Sequence, residues 1–304
     1  MKINPVYKKE LKTSVRNIKM SWTLLGYNAI LAVIALVAFY ACFANRSRID
    51  YSEILTIYVF IACLEFGLIL FAVPGLTSSA ISGERERQTL EILLTTTLKP
   101  SQIIIGKLYA SISQIILLVL SSLPILSLVF TVGGIRMFDL MALMAVCIIT
   151  AIFVGAIGLF YSTIFKRTTP STVMTYGTVI AITLASVVLL VIIQTLMVTV
   201  YDQQYYAVNA TTSAAYNPPT IGYAMLILLW NPAVTIFSML IGQFGGSNSL
   251  REFMMEFGMN NQFIINNWFT LSIIIQLATA AVLLVMAAKR LNPLNEKPNR
   301  NRKA

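Results

Sequence analysis

The sequence predicts an all-α fold, a polytopic bundle of transmembrane helices, and three observations carry that expectation. Of 304 residues, 57% are hydrophobic and only 11% are charged, against about 25% charged in soluble globular proteins. The charges fall between long apolar runs, which makes a bilayer the natural solvent. The cations gather at the two ends of the chain and in a few short connections, as orientation signals do.

The first apolar run, Trp22 to Phe43, has 22 residues, roughly 33 Å as a helix and enough to cross a bilayer. A cleaved signal peptide has an apolar core of only about 7–15 residues, so this run reads as an uncleaved first span. Five further spans read as Ile54–Ile81, Leu108–Val132, Leu140–Phe165, Val173–Val200 and Trp268–Ala288. Pro74 and Pro124 fall inside two of them and predict kinks, tolerated where neighbouring groups meet the freed carbonyls.

A seventh run, Ile221–Phe244, is long enough to span but is interrupted by Asn231–Pro232. Parity argues against a crossing. With six spans, eighteen of the 22 Lys and Arg lie inside, leaving only Arg46, Arg48, Arg136 and Arg251 outside. A seventh crossing would move the six cations from Lys289 to Lys303 outside, against the positive-inside bias. The run is therefore expected to re-enter or to lie at the outer interface. The organisation that results is a cytoplasmic amphipathic helix at 1–21, a six-span domain at 22–288 and a basic tail at 289–304. Within the domain, a loop segment at 82–107 lies inside and an outer region at 201–266 lies outside. Both termini are expected in the cytoplasm and the whole in a cell membrane, a bacterial plasma membrane.

The N-terminal stretch places Ile3, Tyr7, Leu11, Val15, Ile18 and Trp22 at spacings of three or four, with Lys8, Lys9, Lys12, Arg16 and Lys19 around them. Asn4 suits the cap and Pro5 the first turn. Such a helix lies in the inner membrane interface against lipid.

Composition also excludes chemistry. There is no histidine, so His-based acid–base catalysis, Ser-His and Cys-His pairs and histidine metal sites are absent. Cys42, Cys63 and Cys147 sit in separate apolar runs and read as small buried hydrophobes. The net charge of +10 lies beside hydrophobic spans, so its partner is anionic lipid and not nucleic acid. No cofactor or metal is expected. Glu65 is the one acidic residue well inside a span. A mid-bilayer charge costs about 2.5–3.5 kcal/mol on insertion scales, so it must face the bundle or water. It reads either as a substrate or proton contact or as a carboxyl hydrogen-bonded between helices. Gln114, Gln194 and Gln276 read as helix–helix hydrogen bonds.

The interior connection between the second and third spans is the most informative stretch. Glu84, Arg85, Glu86 and Arg87 open a charged helix, Thr89-Leu90-Glu91 follows, and Leu90, Leu93 and Leu94 form an apolar ridge. Arg87 and Glu91 are spaced to pair at i, i+4. Pro100 then starts a second helix leading through Gly106-Lys107. An exposed leucine ridge on a charged helix, tied at both ends to membrane spans, suits docking.

The run Ser82–Lys107 resembles the signature after the second span of ATP-binding-cassette type-2 permeases: a Glu-Arg-Glu cluster, Thr-Leu-Glu, a Leu-Leu-Thr-Thr run and a helix ending Gly-Lys. Phe165-Lys166-Arg167, Asn231-Pro232 and the basic close Ala287-Ala288-Lys289-Arg290-Leu291 agree with it. Thr97 departs, since many relatives carry proline there, so the docking helix is expected to end differently. The resemblance implies an exporter permease whose helix Glu84–Leu94 docks in a separately encoded ABC ATPase. It also implies a second permease subunit, as homodimer or heterodimer. Glu84, Glu86, Thr89, Leu90, Glu91, Leu93 and Leu94 are then the expected coupling residues. None is catalytic: there is no G-x-x-x-x-G-K-[ST] phosphate loop, and Gly106-Lys107 lacks the preceding glycine and following hydroxyl. The alternatives are an ATPase-driven machine that transmits force or signal without transport, and an ion-coupled secondary transporter using Glu65.

The cation split predicts the topology. In a background lacking the native cysteines, Ser213→Cys should label with an impermeant thiol reagent on intact cells and Asn299→Cys should not. The reverse pattern would overturn the six-span arrangement.

Overall fold

The computed structural model describes residues 7, 18–43, 51–95, 100–132, 136–208, 218–244 and 246–291. Among these residues the chain is helical and contains no strand. The long helices are α1 (Ile18–Phe43), α2 (Tyr51–Thr77), α5 (Pro100–Val132), α6 (Met137–Ile164), α7 (Thr168–Ile180) continued by α8 (Ser186–Val208), and α12 (Trp268–Leu291). Two five-residue helices, α3 (Ser82–Glu86) and α4 (Leu90–Leu94), lie between α2 and α5. The shorter α9 (Pro232–Phe244), α10 (Gly246–Glu256) and α11 (Gln262–Asn266) precede α12. Among the described residues, six helical segments are long and apolar enough to cross a membrane, the fifth being Thr168–Tyr206. They fall where the apolar runs predict. The expected N-terminal helix at 1–21 lies outside the described residues apart from Tyr7 and the start of α1, and so does the tail beyond Leu291.

The chain forms two compact units. The first, residues 1–177 with 277–304, is built on α2 packed against α5 and α6, with α1 against α2 and α5. Its inward faces are mostly apolar: Ile57, Tyr58, Ile61 and Ile69 of α2 and Leu143, Cys147 and Leu159 of α6 are buried, with Glu65, Thr150 and Ser162 among them. Helix α2 comes so close to α6 that a side chain at Gly158 would overlap Thr77 and lie 3.2 Å from the backbone nitrogen of Ser78. Only glycine permits that approach. Both prolines lie inside helices, as expected. The Tyr176 hydroxyl donates to the Phe71 carbonyl at 2.8 Å, partnering backbone in the turn before Pro74. Asn28 ties α1 to α5 by donating to Ser121 Oγ at 2.8 Å.

Cysteine placement departs from expectation in one case. Cys147 is buried, whereas Cys63 is exposed on the outer face of α2, and the Cys42 side chain is outside the described set. In a membrane the outward face must be as apolar as the core, so an apolar residue type does not reveal which way it points.

The second unit is residues 178–276. Its opening is a π-helical turn, Ala181–Ala185, between α7 and α8, which no sequence feature predicts. The apolar run Ile221–Phe244 becomes a 3-10 segment, Gly222–Trp230, followed by α9, the two bent by 103° at Asn231. Each leg is about 18 Å long, and turned through such an angle they reach less end to end than the roughly 30 Å of a bilayer core. Asn231 is buried and makes the bend possible. Its amide donates to the Thr183 carbonyl at 2.9 Å and to Ser186 Oγ at 3.0 Å. Its Oδ1 accepts from Ala233 N–H at 2.8 Å, capping α9. The π turn thus presents a carbonyl to a side chain from the bend. Gln276 donates to Thr235 Oγ1 at 2.7 Å, the helix–helix bond expected of it. Gln194 instead reaches the Pro219 carbonyl at 3.2 Å, outside any helix.

Candidate functional site

The backbone leaves helical geometry at the end of α2, and residues 78–94 fold as a small structured loop. Its amides are met by side chains from other spans. Ser162 Oγ, near the end of α6, accepts from the backbone N–H of Ile81 at 2.8 Å and of Ser82 at 2.9 Å. Ser171 Oγ donates to the Ser78 carbonyl at 2.6 Å. Buried amides without partners would cost about 1–3 kcal/mol each, so these hydroxyls determine where the loop can start.

The expected continuous helix Glu84–Leu94 is broken in the structure. Helix α3 ends at Glu86. Gln88 N–H bonds to the Arg85 carbonyl at 3.1 Å and Thr89 N–H to the Glu84 carbonyl at 2.9 Å. This pair of bonds is a Schellman motif, and Gln88 occupies its left-handed position with φ 58°. Glycine normally marks that position, and a glutamine there costs about 1–2 kcal/mol. The Thr89 hydroxyl donates to the Glu84 carboxylate and reinforces the turn. Arg87 and Glu91 consequently fall on opposite sides of the break, and the i, i+4 register expected of them is gone.

The turn also redirects the leucines. Leu90 is only 6% exposed and packs with Ile81, Ile103, Ile104, Leu108 and Leu159 and with Ala287 and Leu291 of α12. Leu94 is half-buried against the same cluster, and the Leu93 side chain lies outside the described set. The exposed ridge expected from the sequence is thus corrected at Leu90: its side chain fills the base of the first unit. Helical spacing shows which leucines share a face but not which surface that face meets.

The carboxylates divide between neighbours. Glu84 Oε1 lies 3.2 Å from Lys107 Nζ, an ion pair between the loop and α5. Lys107 is almost fully buried and Glu84 is part-exposed, so the lysine needs this partner. Glu86 accepts from Thr168 N–H at 2.9 Å and from Thr168 Oγ1 at 3.0 Å, at the first turn of α7. Arg85 donates to the Phe165 carbonyl at 3.2 Å, where α6 closes. The loop is therefore tied to the ends of the third, fourth and fifth long helices. Between Glu84, Glu86, Arg87, Lys107 and Thr168 a polar cleft of about 410 Å³ remains open. Arg87, Gln88 and Glu91 form the exposed rim.

Tyr7 is the one described residue of the N-terminal stretch beyond α1. It lies edge-on to Tyr109, 6.2 Å between ring centres, and its hydroxyl is 3.2 Å from Ser113 Oγ.

Glu65 is separate from the loop. It is 1% exposed, and Ser122 Oγ of α5 donates to its Oε1 at 2.6 Å. The Tyr27 hydroxyl of α1 lies beside it, and neither the Tyr27 hydroxyl nor Glu65 Oε2 makes a hydrogen bond of ordinary length. With Ser122 of α5 and Tyr27 of α1 at the carboxyl and almost no exposure, it faces the bundle interior, as the insertion cost requires. Among the described residues no cluster of acidic or cysteine side chains is arranged to hold a metal.

This packing gives a test. Glu65→Gln keeps an acceptor for Ser122 and should cost under about 1 kcal/mol, while Glu65→Ala leaves Ser122 only the Val119 carbonyl and opens a cavity worth about 2–4 kcal/mol. Thermal unfolding of the purified variants measures both, and equal losses would show that the charge itself is needed.

A family model described as ABC-2 family transporter protein matches residues 4–292, nearly the whole chain. No curated protein matches the sequence.

Proposed function

The chain belongs to the ABC-2 transporter family, and from that premise we propose that it is the membrane subunit of an exporter driven by a separate ATPase. The family establishes an ABC-type permease embedded in a membrane by multiple helices. The further reading rests on one observation: the connection between the second and third spans is a folded element, tied to the ends of three spans. A simple linker between two helices needs neither a buried lysine paired to Glu84 nor a carboxylate spent on a distant helix end. A rigid loop joined to several spans is suited to receive a push from a partner and pass it on.

The eighteen-to-four division of cations supports a cytoplasmic position for this loop and both termini. ATP chemistry belongs to the partner, because the chain carries no phosphate loop. A second permease subunit, identical or not, completes the pathway in this reading, and the basic N-terminal stretch and tail rest on anionic lipid of the plasma membrane. The segment 82–107 is the coupling element of the domain 22–288. Within it the rim residues Arg87, Gln88 and Glu91 meet the ATPase, while Leu90 and Leu94 hold the loop in shape. Glu65 is assigned to helix packing in preference to the substrate pathway, since its carboxyl is buried against Ser122 of α5. The alternative of force or signal transmission without transport uses the same loop, and movement of a substrate by the reconstituted complex separates the two.

The docking face is tested by co-purification of tagged permease with its ATPase. The pair Arg87→Glu and Glu91→Lys should lower bound ATPase several-fold while leaving permease yield and thermal stability unchanged, as expected for rim charges. Leu90→Asp should instead destabilise the permease itself, because it places a charge in an apolar cluster. Full retention of an active ATPase by the doubly reversed rim would remove this surface as the docking site.

A further inference from the structure

We propose that Glu86 is a positioning residue that clamps the loop to the foot of the fifth span, so that displacement of the loop is delivered directly to α7. The proposal rests on reading the loop as the coupling element and specifies where its movement goes. The first turn of a helix has backbone N–H groups with no partner in the helix, and its positive dipole end favours a carboxylate. In α7 the residue before the helix is Arg167, which has no oxygen with which to cap it. The cap comes from Glu86, 82 residues away, through two bonds to Thr168 at 2.9 and 3.0 Å.

The clamp is not a single contact. Thr168, Ser171 and Thr172 share one face of α7 at i, i+3 and i+4, and all three meet the loop or its approach. Ser171 Oγ donates to the Ser78 carbonyl at 2.6 Å, and Thr172 Oγ1 lies 2.9 Å from Ser78 Oγ. Glu84, two residues before Glu86, is committed in another direction, to Lys107 of the third span. The two carboxylates therefore assign the loop one contact on each of two spans. Thr168 opens α7, so a force applied at this first turn acts on that helix directly.

The test uses the full permease in nanodiscs, alone and with its ATPase. In the permease alone, Glu86→Ala should speed hydrogen exchange at amides 168–171 several-fold, and Glu84→Ala should not. In the complex, an environment-sensitive fluorophore on Val173→Cys, in a background lacking the native cysteines, should respond to ATP with vanadate. Glu86→Ala should keep the bound, hydrolysing ATPase but lose most of that response. The decisive variant adds Arg167→Ser to Glu86→Ala, which supplies a local cap without a tie to the loop. Exchange protection should return and the ATP response should not. A response restored by Arg167→Ser would reduce Glu86 to a helix cap and overturn the proposal. So would unchanged exchange in Glu86→Ala, or release of the ATPase by it, which would make Glu86 a docking contact. Should the wild-type loop fail to hold an ATPase while exchange still depends on Glu86, the coupling reading fails and the clamp transmits nothing.

Discussion

Where α2 ends, the chain must leave the helix without abandoning its amides, and Ser162 is the group that makes this possible. Its hydroxyl takes the N–H groups of both Ile81 and Ser82, deep in the first unit, where water does not satisfy them. That anchorage fixes the direction in which α3 departs. It brings Arg85 to the end of α6, Glu86 to the start of α7 and Glu84 to Lys107. Gly158, one turn before Ser162, removes the side chain that would hold α2 and α6 apart. The close approach of two helices and the geometry of the loop are thus one feature.

The exposed part of the loop is small because its apolar part is used internally. The Schellman turn at Gln88 sends Leu90 into a cluster shared with α5, α6 and the end of α12. What remains outside is a charged and polar rim with a polar cleft behind it. Such a surface orients a partner and sets the encounter rate more than it supplies apolar binding energy.

Much of the architecture was legible in the sequence, for physical reasons that differ from element to element. The six spans announce themselves because a bilayer demands about twenty apolar residues at a time. The bend at Asn231 was legible as an interruption, since Asn-Pro breaks a helix and a buried asparagine must find partners. Glu65 was legible as an inward-facing group because lipid forbids the alternative. The break at Gln88 was not, because glycine is the usual sign of a left-handed position and none is present. The direction of Leu90 depended on that break and was misread with it. Cys63 was misjudged because lipid-facing and buried positions draw on the same residue types. The π turn at Ala181–Ala185 answers to a side chain about 45 residues later in the chain, a contact that no local pattern encodes. The bonds of Glu84 and Glu86 within the chain were likewise hidden: carboxylates on an exposed helix look the same whether they serve a partner or a neighbouring span.

The central claim is that the loop presents its Gln88 rim to an ATPase. A photo-crosslinking amino acid placed at Gln88 in growing cells tests it most directly, since that side chain stands at the apex of the turn and is exposed. The account predicts a crosslinked product containing the permease and an ABC ATPase, with no such product from the same probe placed at Tyr206, at the far end of the fifth span. A probe at Gln88 that joins only lipid or the permease itself, in cells where the ATPase is present, would contradict it.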